Sequence, residues 1–408
     1  LNLSGGLLLV DGSATLFNLN NNWSGGSIAG AGALVLGSSP GDTTLAVNGA
    51  AIKTLNGITL DMNQNDINMS GNGNLVLVNN AVIINNGNTF NHSGNGSIVG
   101  QGTLDNSGGT FNKAAGVGTI AVDLVNDASS SINVAGGTLV IDDPEVVGDS
   151  ATYNVDSTGV LVFAQDRQLD GALNLNGTVI AGPLSATPSA TTTLALPASL
   201  VNNGSILLND ANLDLSSLSN STLVMNAGTL LGGRGTVQGN IDNVAGVLVA
   251  GGNNTLGSLA VTGGYRQGPT AAVVVSVLND GVDIVSSVLT VDGVSQLNGG
   301  TLLIGYLDES LGATTSDFIP IQFRGGVSGQ FAQSIDAGGI DLVVEYALDA
   351  LKVLGAELAI PDSIINDLTR FLNDSDAVRK LFASNKSEAE AIIQELIDAA
   401  EELSLIHI

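Results

Sequence analysis

Cysteine is absent from this 408-residue chain, which excludes disulfides, thiolate metal centres and a cysteine nucleophile. Aromatic residues are scarce: one Trp, four Tyr and nine Phe. Basic residues number 11 against 38 acidic ones, for a formal net charge of −27. With no cluster of cations to release counterions from a phosphate backbone or to engage anionic headgroups, nucleic acid is excluded as a partner and so is a charged membrane surface. Charged residues of both signs make up only 12%, about half the fraction usual in a compact domain. No apolar run approaches the roughly 18 residues of a membrane helix, so membrane insertion by this segment is not expected. Helical periodicity is missing from Leu1 to about Thr262.

What the chain does contain is glycine (54 residues) and small aliphatic side chains within a hydrophobic share of 44%. A theme of Gly, any residue, Gly, a small residue and an aliphatic one recurs. Its copies are Gly30-Ala31-Gly32-Ala33-Leu34, Gly100-Gln101-Gly102-Thr103-Leu104, Gly116-Val117-Gly118-Thr119-Ile120 and Gly233-Arg234-Gly235-Thr236-Val237. Glycine permits a sharp turn and the aliphatic residue opens an inward-facing strand. Short apolar runs such as Leu7–Val10, Leu75–Val78 and Thr138–Ile141 alternate with turn signals such as Asn79-Asn80 and Asn202-Asn203-Gly204. Asparagine tolerates left-handed backbone, and stacked asparagines can hydrogen-bond from rung to rung. Repetition of such units predicts an all-β fold, a β-solenoid (parallel β-helix) with rungs of roughly 20–25 residues.

The organisation expected is a solenoid over residues 1–262, a terminal β module over 263–350 that caps its open edge, and an acidic helical tail over 351–403. The tail is marked by Pro361-Asp362 at its start, by helical spacing of Ile364, Ile365, Leu368 and Phe371, and by a Ser387/Glu390 capping box. Its apolar faces need a helix-docking partner for residues 355–403. Residues 404–408 read as non-native read-through and are set aside, and the start inside a strand-like pattern reads as an internal fragment. Pro183, Pro188 and Pro197 mark a loop budding from one rung over 183–197.

Residues 228–334 resemble the C-terminal part of autotransporter passenger domains, the β-helical surface proteins of Gram-negative bacteria. The resemblance is carried by Gly257-Ser258-Leu259-Ala260-Val261-Thr262-Gly263-Gly264-Tyr265-Arg266-Gln267, by Leu297-Asn298-Gly299-Gly300-Thr301-Leu302 and by Gly325–Phe331. It departs from the family at Ala250-Gly251-Gly252, where Ser-Pro-Gly is common. Residues 351–408 also show no ten-residue alternation with aromatic girdles, the mark of barrel strands. The resemblance implies an exported, non-enzymatic surface protein: a stalk or adhesin, extracellular or on the outer-membrane surface, whose ligand is a surface glycan or protein.

Parallel β-helices also support carbohydrate chemistry, so paired carboxylates were sought. The densest acidic group is Asp142, Asp143, Glu145 and Asp149 around Pro144, read first as a solvated acidic turn, then as a calcium site, last as catalytic. Arg167 between Asp166 and Asp170 reads as a surface ion pair. His92, in Phe90-Asn91-His92-Ser93-Gly94, reads as a turn residue with no second His or Cys to share a metal. The Gly-x-Gly units open strands, which excludes a dinucleotide loop. No catalytic, cofactor-binding or metal-ligating residue is assigned. The alternatives to a stalk or adhesin are an extracellular polysaccharide lyase or hydrolase, and a phage or surface-layer fibre.

Overall fold

The computed structural model describes residues 1–17, 20–37, 39, 43–63, 65–143, 148–184, 191–251, 256–279, 284–306, 318–336, 342–346 and 350–355. The chain divides into two compact units, one of residues Leu1–Val179 with Leu196–Val201, the other of Ile180–Ala195 with Asn202–Ile408. Both are built of parallel β-strands stacked coil on coil, the solenoid that the repeats predict. No helix among the described residues is long and apolar enough to cross a membrane.

In the first unit, strands Thr89–His92, Thr110–Lys113, Ser131–Val134 and Thr152–Val155 pair in parallel and in register, one above the next. Register partners such as Asn91, Asn112, Asn133 and Asn154 recur every 21 residues, within the predicted rung length. Strand alternation divides each rung. Ile67, Phe90, Phe111, Ile132, Tyr153 and Leu173 stack in a fully buried inner column, while their neighbours face outward. Phe90 and Phe111 lie ring on ring with centroids 5.2 Å apart. Each such side chain adds roughly 1.5–3 kcal/mol by leaving water, so stability grows by rungs rather than from one thick core. Few aromatics are needed because each layer is thin.

The glycine theme has two uses. At Gly100 the strand Ile98–Asp105 bends and its register against Val117–Val125 shifts. A Cβ there would sit 2.0 Å from the Leu77 carbonyl oxygen, and φ is +126°, so only glycine fits. Gly118 instead occupies a position paired with inward Leu139, and a Cβ would strike the His92 ring at 2.0 Å. Three copies of the theme thus lie at bends between adjacent strand segments, and the Gly116–Gly118 copy makes room for a buried histidine.

In the second unit, Ser205–Asp214 pairs with Leu230–Gln238, with a bulge between Asn209 and Ala211 where Asp210 has φ +53°. Parallel stacking continues through Val247–Ala250, Ala272–Asn279, Thr301–Tyr306 and Gln333–Asp336. It gives way to antiparallel pairing where Ala350–Gly355 joins Leu342–Tyr346 and Phe318–Phe323. Residues 350–355 are strand, so the helical tail expected over 351–403 opens with strand over 351–355, and the rest of it lies outside the described residues. The expected 183–197 loop is narrower than proline placement suggests. Thr192–Ala195 is a strand in register with Ala211–Asp214, because its Thr-Thr-Leu-Ala alternation satisfies a rung, while 185–190 lie outside the described residues.

The segment that carries the autotransporter-like pattern has a packing basis. Leu259, Val261, Tyr265 and Gln267 all point inward. The Tyr265 hydroxyl donates to Gln267 Oε1. Gln267 Nε2 donates to the Ala271 carbonyl at 2.7 Å, and Asn243 Nδ2 to the Ala272 carbonyl at 3.2 Å. Burial raises the Tyr265 pKa, so the phenol stays a donor.

Gly100→Ala is expected to destabilise the solenoid by roughly 2 kcal/mol or more, whereas Gly12→Ala, with open space around it, should change little. Urea unfolding followed by circular dichroism checks both.

Candidate functional site

The nominated acids and Arg167 do come together, but inside the coil. Strand Arg167–Leu169 turns Arg167 and Leu169 inward and leaves Gln168 outside. Arg167 Nη1 donates to Asp143 Oδ2 at 2.8 Å, while Nη2 and Nε donate to Asp149 Oδ2 at 2.8 and 3.1 Å. Asp143 is 1% exposed, Asp149 3% and Arg167 4%. Tyr153 donates its hydroxyl to Asp149 Oδ2, and Asn126 Nδ2 reaches the same oxygen at 3.1 Å. Asp149 Oδ1 accepts the Ala151 amide at 3.0 Å, and Asp143 Oδ2 the Leu124 amide at 3.2 Å. Burial works against the Arg167 charge, but Tyr153 and the two carboxylates more than offset it and hold its pKa high. Burial first, and Asp149 second, raise that of Tyr153.

This corrects two expectations. The acidic residues are not a solvated turn, since Asp143 and Asp149 are interior; Glu145 lies outside the described residues. Arg167 is not a surface pair with Asp166 and Asp170, because strand alternation sends its side chain the opposite way from theirs. Asp142 stays near the surface and accepts from Gln165 at 2.8 Å, and Asp170 accepts from Gln168 at 2.7 Å. Among the described residues no group of three or more His, Asp or Glu is arranged to hold a metal ion. A guanidinium already occupies the place between the two carboxylates where a cation would sit. The cluster ties Asp143 and Asp149 to the wall of the coil; it offers no carboxylate to a substrate.

His92 also departs from expectation. It closes strand Thr89–His92 with its side chain inward and 1% exposed, edge-on to Phe111. Lys113, its register partner, is fully buried. Lys113 Nζ donates to the Gly94 carbonyl at 2.7 Å and lies 3.4 Å from His92 Nδ1. Burial and the Lys113 charge depress His92 to about 4, and burial lowers Lys113 to about 8.

The outer face of the same strands carries a pattern that the sequence holds and that the glycine theme obscures. Thr89-Phe90-Asn91 is followed 21 residues on by Thr110-Phe111-Asn112, then Ser131-Ile132-Asn133 and Thr152-Tyr153-Asn154. With the middle residue inward, the hydroxyl residues form one outward column and the asparagines another. Asn112 Nδ2 donates to Asn91 Oδ1 at 3.0 Å, Asn133 to Asn112 at 2.8 Å and Asn154 to Asn133 at 2.7 Å. Asn68 and Asn174 extend the ladder at either end. Rung-to-rung asparagine bonding was anticipated at turns, where Asn79 does donate to Asn56 and Asn85 to Asn106, both at 2.6 Å; the ladder along the middle of the sheet was not anticipated. Each amide donates one N–H within the ladder, leaving its second N–H and a lone pair on Oδ1 directed outward.

No protein-family model matches this chain, and no curated protein sequence matches it.

Arg167→Ala strands two interior carboxylates without their cation and is expected to cost about 3–5 kcal/mol; Asp170→Asn should fall within about 0.5 kcal/mol. Denaturant melts of the two variants check the contrast. The lysine and histidine carry a signed pH dependence. Both have folded pKa values below their unfolded ones, so the unfolded chain binds more protons and stability rises with pH across each interval. Stability should climb from pH 4 to 6.5 through His92, and again from about 8 towards 10.5 through Lys113. Lys113→Met is expected to flatten the alkaline rise to the part contributed by Lys53, whose pKa burial also lowers, and to raise the unfolding midpoint at pH 7.

Proposed function

We propose that this protein is an exported, non-enzymatic bacterial surface solenoid, a stalk or adhesin like an autotransporter passenger, placed outside the cell or on the outer membrane. The observation that carries this reading is the repeated outer face. A Thr or Ser beside an Asn on four successive rungs gives several equivalent weak contacts, and binding strength then grows with the number of rungs engaged. The interior position of Asp143, Asp149 and Arg167 supports the non-enzymatic side, because the nominated carboxylates are committed to a buried ion pair. The resemblance over residues 228–334 supports export to the surface. In this reading the module expected over residues 263–350 covers the exposed strand edge and is extended by the antiparallel strand Ala350–Gly355. The acidic tail to residue 403 then docks a partner.

The test is incubation of the purified chain with Gram-negative cells and with insoluble and soluble polysaccharides. The expected outcome is saturable binding to a surface with no new reducing ends or unsaturated sugars. Depolymerisation of a glycan would establish the lyase or hydrolase alternative, and a stable trimer in solution would favour the fibre.

A further inference from the structure

We propose that the two outward columns on the first unit bind ice, a deepening of the surface-binding reading that names its ligand. Four observations carry this.

The first is spacing. Parallel rungs repeat at about 4.8 Å, and the two columns, two residues apart on one strand, stand about 6.6 Å apart. Hydroxyls and amides thus occupy a rectangular net whose two repeats are comparable to the oxygen–oxygen repeats on faces of hexagonal ice. The net extends over four complete rungs, from Thr89 and Asn91 to Thr152 and Asn154.

The second is rigidity. Amide-to-amide bonds of 2.7–3.0 Å fix every asparagine side chain in one orientation, and half-buried threonine is β-branched and stiff at χ1. Ordering these groups against a solid therefore costs little further side-chain entropy.

The third is charge. In a protein of net charge −27, the eight positions of the net are all uncharged, and Asp66 stands just beyond it, in the rung below Thr89. A neutral lattice that offers only hydrogen bonds suits such a patch; an ionic surface does not.

The fourth is what faces the other way. Phe90, Phe111 and Tyr153 of these strands are wholly interior. The net therefore presents no ring for a sugar to stack on and no aromatic or arginine anchor of the kind that dominates protein interfaces. Hydroxyl, methyl and amide groups can instead hold a first layer of water in the net's own periodicity. Many weak bonds made at once then join that layer to the crystal.

The experiment is uptake of the purified full chain into a slowly grown ice hemisphere, together with inhibition of ice recrystallisation. The wild-type chain should enter the ice and keep crystals small. Thr110→Tyr raises a ring above the centre of the net and should reduce uptake to that of an inert protein. Val76→Tyr, on an outward strand position of the other sheet, should leave uptake intact. Circular dichroism establishes that the variants fold, and Thr152→Tyr replaces Thr110→Tyr if the latter does not. Exclusion of wild type from ice overturns the proposal, and so does uptake that survives the tyrosine on the net or is lost with Val76→Tyr. If wild type is excluded from ice yet binds cells or an insoluble glycan, the surface-binding reading stands without ice as its ligand.

Discussion

In-register stacking of parallel strands is the constraint on which the rest of the first unit depends. Once one rung lies 21 residues above the next, every position inherits a neighbour of the same kind. An inward aliphatic or aromatic residue must meet another of similar size, and an outward asparagine meets an asparagine. The repeat that builds a thin core therefore also builds a periodic surface. Little proline, few charges and much glycine follow from the same geometry. A rung interior has no room for a solvated charge, and its bends bring backbone within contact of the rung beneath.

Several of the charged groups that enter the interior are matched to a partner that the stacking supplies. Lys113 lies directly over His92 and is within reach of the Gly94 carbonyl. Arg167 bridges two acids from the preceding coil, and Tyr153 takes a place in the inner column that is otherwise apolar. Such groups contribute less to stability than a hydrophobic residue of equal volume, but they penalise any slip of register, because a displaced guanidinium would leave two buried carboxylates unpaired. The charged interior thus works against misalignment. The outer face, freed from packing demands, can serve recognition.

Much of this was legible in the sequence. The glycine theme, the short aliphatic runs and the asparagine turns predict a solenoid, and Asn79 and Asn80 do adopt left-handed backbone. Tyr265 and Gln267 of the segment 257–267 point inward and hydrogen-bond to each other. What stayed hidden was the side of each strand on which a given polar residue falls. Asp143, Asp149 and Arg167 look like surface residues in a list of neighbours, because polarity alone predicts exposure; only the register shows that they converge inside. His92 was misplaced for the same reason: the glycine at 118 that makes room for it lies 26 positions away. The recurrence of Thr or Ser, a large apolar or aromatic residue and Asn was readable at a fixed spacing, yet the flanking glycines draw attention to the turns rather than to the strand between them.

The stacking register is tested most directly by cysteine pairs, which this cysteine-free chain accommodates without interference. Thr110 and Ser131 are register partners, and their Cα atoms lie about 4.8 Å apart, within the span of a disulfide. Thr110 and Asn133 face the same side but stand about 8 Å apart, beyond it. Under mild oxidation, Thr110→Cys with Ser131→Cys should cross-link readily, and Thr110→Cys with Asn133→Cys should not. Cross-linking of the second pair in preference to the first, or of neither, would contradict the register and everything built on it.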